Sequence, residues 1–188
     1  MKLTKRILLG CFIVSGTLAA GIGIYTHISR QQSQLTIMDF DQARDTQFIL
    51  DIFKSNWYWL VSEYSKNFSP EYMLSHRASS KNPEHIGNLT IKVGYQGQEP
   101  VGFVAYYKKS FYEGFLLFLA TKGEFRSKGY GYQLLKYAID DLKNRFVTTI
   151  KLVTRTVNHP AMKIYRKAGF KETSRDEDGF IYFQYDVE

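Results

Sequence analysis

Leu119-Ala120-Thr121-Lys122-Gly123-Glu124-Phe125-Arg126-Ser127-Lys128-Gly129-Tyr130-Gly131 is the stretch that decides how this chain folds. An apolar run, residues 113–121, enters a basic, glycine-bearing loop. The loop opens an amphipathic helix in which Leu135, Ala138, Ile139 and Leu142 form one stripe and Gln133, Lys136, Asp140 and Lys143 lie opposite. The first turn of a helix carries unpaired backbone N–H groups and the positive end of the dipole. Such an end takes a phosphate when no side chain blocks it. Gly129 and Gly131 clear the approach, Arg126 and Lys128 add charge, and Ser127 and Tyr130 complete the loop. The pattern points to a diphosphate site. It is not a Walker loop, because no Gly-Lys-Ser/Thr follows, and it lacks one glycine of the dinucleotide fingerprint. The plainer alternative is that the two glycines only ease a tight turn.

Outward from this stretch the chain reads as an α/β domain with a mixed sheet. Residues 35–40 alternate as a strand, and Asp41 caps a helix over 41–54 with Ile49, Ile52 and Phe53 in phase. Residues 56–64 read as irregular and aromatic. Trp57-Tyr58-Trp59 is either core packing or a substrate wall. Ser69-Pro70-Glu71 starts a second helix. Strands at 89–95 and 101–107 flank a turn at 97–100, and the 113–121 run is apolar enough for burial on both faces. Beyond the amphipathic helix come a strand at 149–154, a short helix from Asn158 to Ala168 closed by Gly169, and a strand or strands ending at 180–187.

A second pattern, Asn158-x-x-Ala161-x-x-x-Tyr165-x-x-x-Gly169-Phe170, lies about thirty residues past the first. Arg126-x-x-Gly129-x-Gly131 resembles the acetyl-CoA pyrophosphate motif of the GNAT superfamily of N-acetyltransferases. The downstream pattern resembles that family's helix beside the cofactor thiol. The resemblance spans nearly all of residues 35–188. It implies one GNAT-like domain whose sheet is mostly antiparallel and splays beside the 113–121 strand. It implies that acetyl-CoA is the co-substrate and an amine the acceptor. Leu119, Ala120 and Thr121 would lie along the pantetheine arm, and Arg126–Gly131 would hold the pyrophosphate. Asn158 would meet the arm and Tyr165 would stand near the sulfur. Without the resemblance, Tyr165 is equally a core tyrosine and Asn158 a helix cap. Direct attack of an amine on the thioester calls for a base and for a proton donor to the thiolate. Tyr165 is the donor candidate. Glu113 is the first base candidate and Glu63 the second, each with a surface carboxylate as the plain alternative. A non-catalytic acyl-CoA-binding module, or a membrane-tethered interaction protein, is the competing function on the same fold.

Residues 1–34 carry Lys2, Lys5, Arg6 and Arg30 and no acid, while the remainder carries 21 basic and 18 acidic residues. That balance does not call for a nucleic-acid partner. Residues 7–26 are twenty uncharged residues, long enough as a helix to cross a bilayer core of about 30 Å. Residues 1–30 are therefore expected to be a single-pass membrane anchor and 31–34 a linker. The alternative is a signal segment cleaved near Ala19. The basic start would keep the amino terminus in the cytoplasm and send the domain across, which conflicts with a cytoplasmic cofactor. One cysteine excludes an internal disulfide, and four scattered histidines offer no metal-ligand spacing.

Overall fold

The computed structural model describes residues 35–62, 65 and 67–187. The expected anchor at 7–26 and linker at 31–34 lie outside them, and none of the described helices is long and apolar enough to cross a membrane.

The elements run β1 (Thr36–Asp39), α1 (Gln42–Leu60), α2 (Pro70–His76), β2 (Thr90–Gln96), β3 (Glu99–Lys108), β4 (Glu113–Thr121), α3 (Tyr130–Asn144), β5 (Thr149–Arg155), α4 (His159–Lys167), β6 (Lys171–Arg175) and β7 (Phe180–Asp186). They form one seven-stranded sheet in the order β1-β2-β3-β4-β5-β7-β6. Every neighbouring pair is antiparallel except β4–β5, which is parallel. The mixed, mostly antiparallel α/β architecture expected from the sequence is present.

Two apolar clusters hold the helices to the sheet. One packs Leu134, Leu135, Ala138, Ile139 and Leu142 of α3 and Met162 and Tyr165 of α4 against Leu116, Ile150, Leu152, Ile181 and Phe183. The other packs Ile49, Ile52 and Phe53 of α1 and Met73 and Leu74 of α2 against Ile91, Val93, Phe103 and Phe118. β4 supplies both, as its continuous apolar run requires. The expected α3 stripe is fully buried. Each such aliphatic side chain stabilises by roughly 1.5–3 kcal/mol, while a missing N-cap costs about 1 kcal/mol. Packing therefore fixes α3 with or without a cap.

Two elements depart from the sequence reading. α1 does not stop at Lys54 but continues to Leu60 across a kink at Asn56 (φ −131°, ψ 22°). The Asn56 side-chain Nδ2 donates to Ile52 O at 2.9 Å there, a side-chain bond to the carbonyl one turn back at the kink. Trp57, Tyr58 and Trp59 thus sit on helix and are 47%, 55% and 44% exposed, so they are not core packing. β6 is a strand with every residue exposed, held by its pairing with β7 rather than by apolar alternation.

Candidate active site

The site begins where the sheet divides. β4 pairs with β5 only at Glu113↔Thr149, Gly114↔Ile150 and Phe115↔Lys151. β4 then runs on to Thr121 and β5 to Arg155 without pairing. Beyond Phe115 one edge of β4 is therefore free, the splay that the resemblance implied. Lys122 N–H donates to Val101 O at 2.9 Å. In an antiparallel ladder, residues alternately face and turn from the partner strand. The register Gly102↔Thr121 and Val104↔Leu119 then directs the polar groups of Thr121 and Leu119 away from β3, to the free edge. By the same alternation Ala120 faces β3, so its backbone is not available with those of its neighbours. Ala105 pairs with Phe118 and Tyr106 with Leu116, which leaves Leu117 as a bulge. The bulge reverses facing: Leu116 joins the α3 cluster and Phe118 the α1 cluster.

Past Thr121 a single turn at Gly123–Phe125 leads into the loop. Ser127 (φ 62°) and Gly129 (φ 84°) are both left-handed, a conformation that aims nearby N–H groups to one side. For Ser127 this costs on the order of 1 kcal/mol. Gly129 is the N-cap of α3, with no side-chain capping bond and no acid in the first turn. A Cβ at Gly129 would meet nothing within 4 Å, so the mouth is open space. A Cβ at Gly131 would stand 3.5 Å from Ile164 Cδ1 and 3.8 Å from Thr121 Cγ2. The first turn of α3 therefore lies between the end of β4 and α4. No capping side chain closes this first turn among the described residues, and such uncapped amides suit a diphosphate.

The two cations expected at this mouth rest elsewhere. Arg126 donates to Asn56 Oδ1 at the α1 kink. Lys128 Nζ lies 4.9 Å from the Phe125 ring centroid. Backbone groups rather than side-chain charges form the mouth.

α4 supplies the other wall. Asn158 is its N-cap: the side chain accepts from Ala161 N–H at 3.4 Å and donates to Thr154 Oγ1 at 3.2 Å. Tyr165 is buried against Phe170 and Phe183 (ring centroids 6.0 and 5.9 Å). Burial pushes its phenol well above the ordinary tyrosine range. Among the described residues none is seen to hydrogen-bond its hydroxyl.

Glu113 is not brought to this place. It opens β4 at the closed end, where β5 is still paired, eight residues and about 25 Å from Thr121. Lys151 Nζ lies 2.6 Å from one carboxylate oxygen and Lys109 Nζ 3.0 Å from the other. The bond from Lys151, with Lys109 behind it, holds the carboxyl below its usual range. A doubly paired, acidified carboxylate is a poor base, and the assignment is corrected to a structural one. Glu63 lies outside the described residues.

Two residues escaped sequence reasoning. Arg155, at the end of β5, is 9% exposed. It donates to Tyr58 O at 2.7 Å and Val61 O at 3.4 Å, with its guanidinium 4.2 Å from the Tyr58 ring centroid. A cation on the last carbonyls of a helix is favourable. With Asn56 held by Arg126, the last turns of α1 are tied to both arms of the divided sheet. Neither contact leaves a signal in spacing: the partners are 70 and more than 90 residues apart.

A seven-stranded mixed sheet whose one parallel pair separates beside a bare helix mouth defines an acetyltransferase-type α/β fold. A family model described as the acetyltransferase (GNAT) family matches residues 49–170, and the chain belongs to that family. Over 91 residues it is 33% identical to N-alpha-acetyltransferase 30 of Xenopus laevis, covering 46% of this chain and 32% of the relative. Over 62 residues it is 36% identical to the [ribosomal protein bS18]-alanine N-acetyltransferase of Salmonella typhimurium, covering 33% of this chain and 42% of the relative. The matches thus span less than half the length of either curated relative. Among solved structures, PaiA N-acetyltransferase of Thermoplasma acidophilum, in complex with coenzyme A, is similar with a TM-score of 0.62. It is 18% identical, with 82% of this chain and 99% of that chain covered; at that identity the likeness is one of fold.

Proposed function

We propose that this chain transfers the acetyl group of acetyl-CoA to an amine by direct attack, and that the amine is the α-amine of a peptide or protein. One observation carries the reading: the uncapped first turn of α3 opens beside the free edge of β4, on which Leu119 and Thr121 direct unpaired backbone groups. Amides of Ser127–Gly131 hold the diphosphate, with Arg126 and Lys128 long enough to swing onto it. Leu119 and Thr121 pair with the amides of the pantetheine arm, and Asn158 keeps one N–H for it. The N–C bond forms as the C–S bond breaks. Negative charge on the carbonyl oxygen is met by an outward β4 N–H. The departing thiolate takes the Tyr165 proton, and the attacking nitrogen loses its own to water. The names of the two curated relatives, one an N-alpha-acetyltransferase and the other a ribosomal protein bS18-alanine N-acetyltransferase, support the choice of acceptor class.

The test is thiol release from acetyl-CoA in the presence of peptides with free or blocked amino termini. Release with free termini only is expected. Tight acetyl-CoA binding with no release above background would leave a binding module.

We further propose that residues 7–26 tether the domain to a membrane, supported by their length and lack of charge. Resistance to alkaline extraction is expected. Release of a shortened chain would favour cleavage near Ala19, and protease access in intact cells reads the side.

A further inference from the structure

Away from the α3 mouth, the outer side of α1 and the start of α2 line an open cavity of about 460 Å³. Leu50, Phe53, Trp57 and Phe68 form its apolar wall, and Asp51 and Glu71 stand at its rim. Asp51 accepts from Gln47 Nε2 at 3.0 Å and Glu71 from Ser69 Oγ at 2.8 Å. Among the described residues neither carboxylate has an ion pair. Lys54 on the same rim leaves one net negative charge, which disfavours a phosphate or another anion.

The cavity is close to the divided strand pair. Phe53 meets Phe118 edge-on and Phe68 meets it tilted, with ring centroids 5.0 and 5.3 Å away, and Phe118 directly follows the β4 bulge. Phe68 in turn lies 6.3 Å from Trp57. Two centroid steps, Phe118 to Phe68 and Phe68 to Trp57, place the exposed Trp57 within the length of about four extended residues, at about 3.3 Å each, of the divided strand pair.

We infer that this cavity takes a lysine or arginine side chain of a peptide acceptor, a few residues beyond the amine that is acetylated. Such a side chain lays its methylene stem on apolar surface and keeps its charged head at the rim. The stem lies along Leu50, Phe53 and Phe68, the head meets Asp51 and Glu71, and the exposed Trp57 face offers a cation–π contact. This deepens the proposed function and rests on it.

The experiment uses the full chain in detergent micelles. The protein has two tryptophans, so Trp59→Phe leaves Trp57 as the sole indole reporter. Peptides with free amino termini carry one lysine at position two, three, four or five, or norleucine in its place. At one position lysine should lower peptide KM about tenfold against norleucine and perturb Trp57 fluorescence. The Asp51→Asn/Glu71→Gln pair should erase that difference and leave acetyl-CoA KM unchanged. Equal KM for lysine and norleucine peptides at every position overturns the inference, as does a double variant that weakens both alike. Acetylation of small amines but of no peptide also overturns it, while leaving the enzymatic reading intact. If acetyl-CoA is not bound at all, the enzymatic reading fails. The Trp57 titration with lysine peptides then still decides whether the cavity accepts the cation.

Discussion

The amino ends of α1 and α3 lie on opposite faces of one sheet and are finished in opposite ways. At α1, Asp41 accepts from Arg44 N–H at 2.8 Å, and Asp45 accepts from Asp41 N–H at 2.9 Å. Asp45 is fully buried, and burial alone would raise its carboxyl. Arg44, the Asp41 N–H and the Tyr95 hydroxyl outweigh that and hold it below the ordinary range. At α3 a left-handed glycine stands in the cap position and the first turn has neither cap nor acid. Both helices are anchored by buried stripes. A helix that only has to start fills its amino end with its own side chains. A helix whose amino end meets a ligand leaves those donors bare, and its packing bears the cost.

The largest effect that sharpens this contrast is expected from Gly129→Glu. It places bulk and negative charge at the bare mouth and strains a left-handed position. Two lost charge-assisted hydrogen bonds, at about 1.5–3 kcal/mol each, correspond to a hundredfold or greater loss of acetyl-CoA affinity by calorimetry. Tyr165→Phe keeps the packing on Phe170 and Phe183 and removes only the proton. It should lower kcat about a hundredfold with acetyl-CoA affinity unchanged; equal losses in both would return Tyr165 to the core. Because the phenol titrates above its ordinary value, it stays protonated across the working range. The rate should therefore rise with pH through the acceptor α-amine, near about 8, and show no Tyr165-dependent fall up to about pH 10. A descending limb near neutrality would contradict this donor.

Asp41→Ala should cost about 1 kcal/mol in chemical denaturation and leave acetyl-CoA binding untouched. A change in affinity would mean that the two helix ends are coupled. As the smallest effect, Gly131→Ala should be almost silent in chemical denaturation, because its methyl meets only ordinary contacts at 3.5 and 3.8 Å.

Features encoded locally were legible in the sequence. Asp41 caps the helix it was expected to cap, a helix starts at Ser69-Pro70-Glu71, and the β4 run, the α3 stripe and Gly169 fall where periodicity and turn chemistry place them. The α3 mouth was legible for the same reason: two glycines after an apolar strand describe a local geometry. Long-range contacts were not legible. Arg126 read as a phosphate ligand because nothing near it in sequence competes for it, yet it reaches Asn56 across the fold. Glu113 read as a base because a carboxylate on a buried strand is conspicuous; Lys151 from the paired β5, joined by Lys109 from the preceding turn, neutralises it. β6 carries no apolar residue, so no periodicity marks it. The extension of α1 was hidden by three aromatic residues whose exposure only the structure reveals.

The most direct measurement is the amide ¹H–¹⁵N spectrum of the full chain in micelles, titrated with coenzyme A. If the bare end of α3 grips the diphosphate, the amides of residues 127–132 move most, and those of residues 41–45 at the capped end of α1 stay in place. Saturable binding that leaves 127–132 unmoved would place the diphosphate elsewhere and remove the basis for the catalytic reading.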